Sequence, residues 1–365
     1  MIMIRTLLIT AGLVLAGGAS AQSDLAELIE QTGVKAGDVP MREVPGWRQP
    51  KKILMMDVGL SQDEVQALVP GAEVVIYRSS ADAMANAKGA DAIVGYCSKD
   101  LIDAAEDAIW MQVFSAGVDR CVGAGRIADG SVVLTNMQKM SSPVIGEHVI
   151  ALTLSLARQI PWFAREMQSG RWYRGSDTAG RMMSVAGKTM FVIGLGGIGT
   201  EAARRAAALD MRVIATRRSS REGPDFVDYV GLSDERLKLA AEADFIVNAL
   251  PMTPETAGLI DEIFFSAAKP GAVYISVGRG GTTVTDDLVA ALKSGQIAAA
   301  GLDVTDPEPL PADHVLWQME NVIITPHVSG RDSNRARHMM VFKENLRRFA
   351  AGDALLNVVD PEHGY

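Results

Sequence analysis

Three residues in the second half of the chain have the chemistry to move a proton and hold an acid. Arg279 follows the apolar run YISVG, Glu308 lies in LDVTDPEP, and His327 closes NVIITPH. A histidine donates and accepts protons near neutrality. A carboxylate on its other ring nitrogen fixes the tautomer and favours the imidazolium. A guanidinium grips a carboxylate through paired donors and polarises a nearby carbonyl. Alone, each has a bland alternative: a surface arginine, a loop acid, a satisfied histidine. Their placement joins them, because each follows the C-terminal end of a later strand, where open α/β sheets bind ligands.

Upstream, MFVIGLGGIGTEAARRAAAL carries Gly194, Gly196 and Gly199 in G-x-G-x-x-G spacing, with Gly197 and Ile198 inside it. With 35 glycines in the chain the spacing alone is weak. An apolar strand before it and an alanine-rich helix after it give it meaning. Gly194 lets the chain turn, Gly196 lets backbone approach a pyrophosphate, and Gly199 lets helix and strand pack closely. The helix N-terminus offers unpaired N–H groups to the phosphates. The next strand, VIATRRSS, ends where an adenosine ribose would lie. An acid there would select NAD; Arg217, Arg218 and Ser219 stand there instead. Guanidinium groups pair with a 2′-phosphate. The expected cofactor is NADP(H), with NAD(H) as the alternative.

The elements that must position these residues come in two alternating series. KKILMMDVG, AEVVIYRS, DAIVGYC, WMQVFSAGVD and GSVVLTNM read as five strands, with Ser61 and Glu64 forming a capping box at the first helix. KTMFVI, MRVIATRR, ADFIVNAL, AVYISVG, IAAAGLDV and NVIITPH read as six more, with a helix near 285–294 capped by Thr285 or a residue nearby. Strand and helix alternating in this way predict an α/β fold with two doubly wound parallel sheets. Between the series, SPVIGEHVIALTLSLARQIPWFAREMQSG opens with Pro143 in its first turn and is apolar around most of its circumference, so a largely buried helix is expected. Pro161 should end or bend it. The tail reads as one helix and an extended end that return to the first domain. The expected division is 1–21, a lead-in on the surface over 22–50, a first domain of 51–147 plus 329–365, and a second of 148–328.

The bulk numbers bound the rest. A chain of 365 residues with 48% hydrophobic content has room for two proper cores. Its formal net charge of −9 argues against a nucleic-acid surface. Cys97 and Cys121 fit no metal spacing, so no metal is expected. Two buried thiols are the favoured reading of the pair, with a disulfide left open. At the start, one cation, the uncharged stretch TLLITAGLVLAGG and the small-residue ending ASAQ lay out a signal peptide cut after Ala21. That reading implies export, to a periplasm or outside the cell. The alternative is a cytoplasmic protein beginning near Met41. The apolar stretch is short for a membrane span, and nothing later is longer.

Taken together, the sequence resembles the D-isomer-specific 2-hydroxyacid dehydrogenase family. GLGGIG, NALPMTPET, SVGRGG, GLDVTDPEPLP and NVIITPHVSG match it in order, and SAGVD at 115–119 and SPVIGEHVIALTLSLAR fit as well. The arginine pair is most similar to the NADP-preferring glyoxylate/hydroxypyruvate reductase branch. The resemblance implies a flavodoxin-like substrate domain, a Rossmann dinucleotide domain, and interconversion of a 2-keto acid with a D-2-hydroxy acid. It implies that His327 is the acid and base, that Glu308 orients it, and that Arg279 holds the substrate carboxylate together with backbone N–H groups around Ala116 and Gly117. It further implies that Asp303 meets the nicotinamide amide, that Leu250 and Pro251 line the cofactor groove, that domain closure accompanies binding, and that a homodimer forms on the 143–160 helix. The export signal and lead-in depart from the family. Two alternatives stay open: another Rossmann dehydrogenase sharing only the cofactor domain, and an exported non-catalytic protein that kept the dinucleotide fold.

Overall fold

The computed structural model describes residues 23–119, 121–123, 125–173, 182–331 and 335–361, so the expected signal peptide lies outside the described residues. The chain divides into two compact units, Met1–Met140 with Ser333–Tyr365, and Ser141–Asp332. The crossings fall a few residues from the expected 147/148 and 328/329.

The first unit is built on β1 (Lys52–Met56), β2 (Glu73–Tyr77), β3 (Ala92–Val94), β4 (Trp110–Gln112) and β5 (Val133–Thr135). They form one sheet of order β2-β1-β3-β4-β5, with every pairing parallel. This is the flavodoxin-like order. Alternate residues of β1 serve opposite faces: Ile53 and Met55 enter one core, Leu54 the other. Helix α1 covers 23–32, and α2 (Gln62–Leu68), α3 (Ser80–Asn86), α4 (Lys99–Ala104) and α5 (Gly125–Ala128) follow. At α2 the Ser61 and Glu64 capping box forms in both directions.

Two expectations need correcting in this unit. The lead-in does not lie on the surface: Leu28, Val34 and Met41 are buried in the core beside Ile53 and Trp110. Burying such side chains contributes about 1.5–3 kcal/mol each. Nor are the cysteines two separate thiols. Cys97, after β3, is disulfide-bonded to Cys121, after β4, with Cα atoms 5.5 Å apart.

Among its described residues the second unit carries seven strands: β6 (Thr189–Ile193), β7 (Arg212–Arg217), β8 (Tyr229–Leu232), β9 (Phe245–Asn248), β10 (Ala272–Ser276), β11 (Ile297–Leu302) and β12 (Val322–Ile324). Their order is β12-β11-β10-β9-β6-β7-β8, all parallel. The sequence reading counted six. It missed β8, a short edge strand with Gly231 inside it and no alternating pattern. The central strands β6, β9 and β10 are buried throughout, as continuous apolar runs require.

Helices α6 (Ser142–Ala157), α7 (Ile160–Glu166), α8 (Gly197–Ala207), α9 (Arg236–Ala240), α10 (Glu262–Ala267) and α11 (Thr285–Ser294) complete the unit. The long helix breaks one turn earlier than Pro161 suggested. Gln159 takes a left-handed φ of 57°, and Pro161 opens α7. Thr285 is the first residue of α11, not its cap; its hydroxyl donates to the Asp306 carbonyl, and Val284 holds the cap position. Finally α12 (Arg335–Ala351) belongs to the first unit, where Phe342, Leu346 and Phe349 are buried with β1.

Candidate active site

The glycine loop sits between β6 and α8, at the point where strand order reverses from β7 to β9. This switch point is where a doubly wound sheet binds its ligand. Gly194 adopts φ +94°, a conformation that favours glycine. A Cβ on Gly199 would lie 2.2 Å from the Gly194 carbonyl oxygen, so only glycine lets α8 start there. A Cβ on Gly196 would meet nothing within 4 Å. Gly196 caps α8, and Gly197 and Ile198 begin it, so their N–H groups belong to the unsatisfied first turn. The Leu250 side chain lies beside Gly194, and Leu250 and Pro251 are half-buried along the loop after β9.

The end of β7 is tied to this loop by the Leu195 N–H, which donates to the Thr216 carbonyl. Thr216 is buried, Arg217 half-buried, and Arg218 and Ser219 exposed. The Arg217 Nε is buried with no hydrogen-bond partner. An orphaned guanidinium N–H is costly unless an acceptor reaches it. Arg221 is committed elsewhere, to Glu235 at 2.6 Å and the Tyr229 hydroxyl at 3.0 Å.

β10, β11 and β12 are neighbours, with Ser276 paired to Leu302 and Leu302 to Ile324. Arg279, Glu308 and His327 therefore leave adjacent strands at the same end of the sheet. His327 Nδ1 lies 2.6 Å from Glu308 Oε1, both side chains partly exposed. Arg279 is half-buried, and its Nη1 donates to the Gly278 carbonyl at 2.9 Å. Its turn packs against the β11 loop so closely that a Cβ on Gly280 would lie 1.9 Å from the Thr305 carbonyl oxygen.

Around this set is a polar scaffold that the sequence reading missed. Asn248, at the end of β9, donates to Tyr274 at 2.9 Å and to Thr282 at 2.8 Å. The Thr282 hydroxyl in turn donates to the Arg279 carbonyl at 2.7 Å. Asp303, 1% exposed, accepts from the Thr325 hydroxyl at 2.6 Å and from the Val328 and Ser329 N–H groups at 2.9 and 3.0 Å. Burial alone would raise its carboxyl, but hydrogen bonds from Ser329, Thr325 and Val328 outweigh it and hold it below the ordinary value. The resemblance implies that Asp303 meets a nicotinamide amide; here its carboxylate is engaged with the turn that bears His327. Asn248 and Thr325 lie inside the motifs NALPMTPET and NVIITPHVSG, and Thr282 follows SVGRGG, but their residue types alone give none of the three a role.

In the first unit, the turn at 115–117 is held from within. Asn136 Nδ2 donates to the Ala116 carbonyl at 2.7 Å, and the Ser115 hydroxyl to the Gly117 carbonyl at 2.8 Å. Ala116 is exposed and Gly117 half-buried. Among the described residues, no cluster of His, Cys, Asp or Glu could hold a metal ion, and no helix is long and apolar enough to cross a membrane.

The open face at Gly196, the first turn of α8 and the orphaned Nε of Arg217 fit a dinucleotide with its phosphates on the loop. A parallel sheet with this loop at its switch point, and a carboxylate-paired histidine four strands away at the same sheet end, is the arrangement of a dinucleotide-dependent enzyme. Comparison with known proteins agrees. Residues 150–329 match the model of the D-isomer specific 2-hydroxyacid dehydrogenase NAD binding domain. A mouse glyoxylate reductase/hydroxypyruvate reductase is 34% identical over 264 residues, 70% of this chain and 79% of its own. A D-isomer specific 2-hydroxyacid dehydrogenase from Xanthobacter autotrophicus Py2, solved with NADPH, superposes with a TM-score of 0.73 at 29% identity, covering 87% of this chain and all of its own. An NADPH-dependent glyoxylate/hydroxypyruvate reductase from Sinorhizobium meliloti, solved with NADP and sulfate, gives 0.73 at 28% identity, covering 86% of this chain and all of its own. The chain belongs to the D-isomer-specific 2-hydroxyacid dehydrogenase family. It is an NAD(P)-dependent enzyme that interconverts 2-keto and 2-hydroxy acids.

Proposed function

We propose that this enzyme reduces a small 2-keto acid of the glyoxylate or hydroxypyruvate kind, preferring NADPH. The observation that carries the reading is the His327–Glu308 hydrogen bond of 2.6 Å between the ends of β12 and β11, with β11 next to β10, which presents Arg279. The chemistry supplied by a bound reduced nicotinamide is a hydride to the carbonyl carbon. His327 gives a proton to the carbonyl oxygen through Nε2, since Nδ1 is held by Glu308, and takes it back in the reverse direction. Glu308 accepts from Nδ1 and so holds the ring with Nε2 free for that transfer. Arg279 grips the substrate carboxylate and polarises the carbonyl as negative charge develops on its oxygen. The substrate class follows the mouse and Sinorhizobium relatives.

Arg217 and Arg218 support the NADPH preference, because the Arg217 Nε has no acceptor in the chain, a guanidinium suits a phosphate, and no acid stands at the end of β7. A homodimer built on α6 is part of the same reading, as is export after cleavage at Ala21. The Cys97–Cys121 disulfide supports an oxidising compartment. The experiment is a screen of 2-keto acids for NADPH oxidation, run in parallel with NADH. N-terminal sequencing of extracytoplasmic protein should begin at Gln22, and light scattering should give twice the chain mass.

A further inference from the structure

His327 is held in an uncommon backbone state. Its φ is 51°, a left-handed conformation that a non-glycine residue adopts only when its surroundings impose it. Its N–H donates to the Asp303 and Thr325 carbonyls, both at 2.9 Å. On either side of it, the Thr325 hydroxyl and the Val328 and Ser329 N–H groups all converge on the Asp303 carboxylate. The turn that carries the proton donor is thus wrapped around one buried acid.

The far side of that turn rests on α6. His148 Nε2 lies 3.0 Å from the Thr325 hydroxyl oxygen and 3.8 Å from Asp303 Oδ1. Thr325 has one hydroxyl proton, and at 2.6 Å it points to Asp303, which as a carboxylate can only accept. The Thr325 oxygen is therefore the acceptor and His148 Nε2–H the donor in their hydrogen bond. Further along the turn, Gly330 lies against Ser141 and Ile145. Positions 141, 145 and 148 share one face of a helix. One stripe of α6 therefore runs along the turn from Thr325 to Gly330, with a directed hydrogen-bond chain at one end.

We propose that His148 is a positioning residue for the reaction: its Nε2–H, acting through Thr325 and Asp303, holds the left-handed turn that aims His327. The proposal rests on the reading of His327 as proton donor. A misplaced catalytic group loses rate even when binding survives, and about 1 Å can cost up to a hundredfold.

The test compares His148→Ala, His148→Gln, Thr325→Val and the double variant His148→Ala with Thr325→Val. Single-turnover reduction of glyoxylate by NADPH is measured together with the KM for glyoxylate, the NADPH Kd by fluorescence, and the melting temperature. His148→Ala should slow the single turnover about ten- to a hundredfold with KM and Kd within a factor of about two. His148→Gln, whose amide can donate from nearly the same place, should recover most of the rate. The double variant should be no slower than Thr325→Val alone, because both remove the same chain. Full rate in His148→Ala, multiplicative losses in the double variant, or a glutamine variant as slow as the alanine one would overturn the proposal. If His148→Ala melts too low to assay, the glutamine and valine variants decide alone. His327→Ala serves as the control. If it is as fast as the parent, the proton-donor reading falls. If it is slow while His148→Ala is not, only the positioning role falls.

Discussion

His327 Nδ1 is hydrogen-bonded to Glu308 Oε1 at 2.6 Å, across a gap of 19 residues that the adjacency of β11 and β12 closes. The pair fixes the ring and its tautomer before any substrate arrives. Replacing Glu308 by alanine removes the acceptor at Nδ1 and leaves the ring free to turn and to change tautomer. The expected result is at least a tenfold loss in kcat for keto-acid reduction, part of the 10²–10⁴-fold that such a proton transfer is worth. The NADPH Kd should stay within a factor of about two. Steady-state kinetics with a fluorescence titration of NADPH checks both.

Two glycines of the nucleotide loop should behave differently under the same change. Gly199→Ala drives a methyl group to 2.2 Å from the Gly194 carbonyl oxygen, inside the βαβ turn itself. Overpacking of this kind costs about 1–3 kcal/mol, and the melting temperature should fall. Gly196→Ala meets nothing within 4 Å and should fold with an unchanged melting temperature. Its methyl group would instead occupy the approach of the pyrophosphate, so dinucleotide affinity should fall at least tenfold. A Gly196→Ala variant that binds NADPH normally would place the phosphates elsewhere.

Arg217 offers a buried, unpartnered Nε. A charge-assisted hydrogen bond to a 2′-phosphate is worth about 1.5–3 kcal/mol, or roughly ten- to a hundredfold. Arg217→Ala should weaken NADPH binding by that factor and leave NADH binding nearly unchanged. Equal loss for both dinucleotides would reassign Arg217 to holding the strand end.

Asp303 links the site to acid stability. Its carboxyl is held below the ordinary value of 3.8 by its hydrogen bonds, against the effect of burial. A depressed carboxyl stabilises the folded state above the unfolded pKa and loses that contribution as pH falls through the folded one. Stability should therefore be level near neutrality and decline below about pH 4 as the unfolded chain takes up its proton first. Asp303→Asn puts an amide opposite the Val328 and Ser329 N–H groups and should cost about 1–3 kcal/mol at neutral pH. The variant should also show a shallower decline in acid. Denaturant midpoints measured across pH for both proteins report the difference.

What could be read from the sequence was whatever lay in short contiguous stretches. The glycine loop, the arginines at the end of β7 and the apolar runs before Arg279 and His327 each sit within a few residues of the pattern that reveals them. β8 escaped because four edge residues containing a glycine carry neither a continuous apolar run nor an alternation. The lead-in was misjudged because Leu28, Val34 and Met41 are isolated apolar residues among polar ones, and only the first unit's core shows what they meet. The Thr325–His148 contact joins positions 177 apart. Threonine and histidine are ordinary residues in their own segments, and nothing local marks them as partners.

One measurement reaches the role of His327 as proton donor directly. NADPH oxidation by glyoxylate and hydroxypyruvate is followed with the parent enzyme and with His327→Ala at matched dinucleotide saturation. The expected result is reduction by the parent and a 10²–10⁴-fold lower kcat in the variant, with NADPH still bound. A variant that reduces either acid as fast as the parent contradicts the assignment.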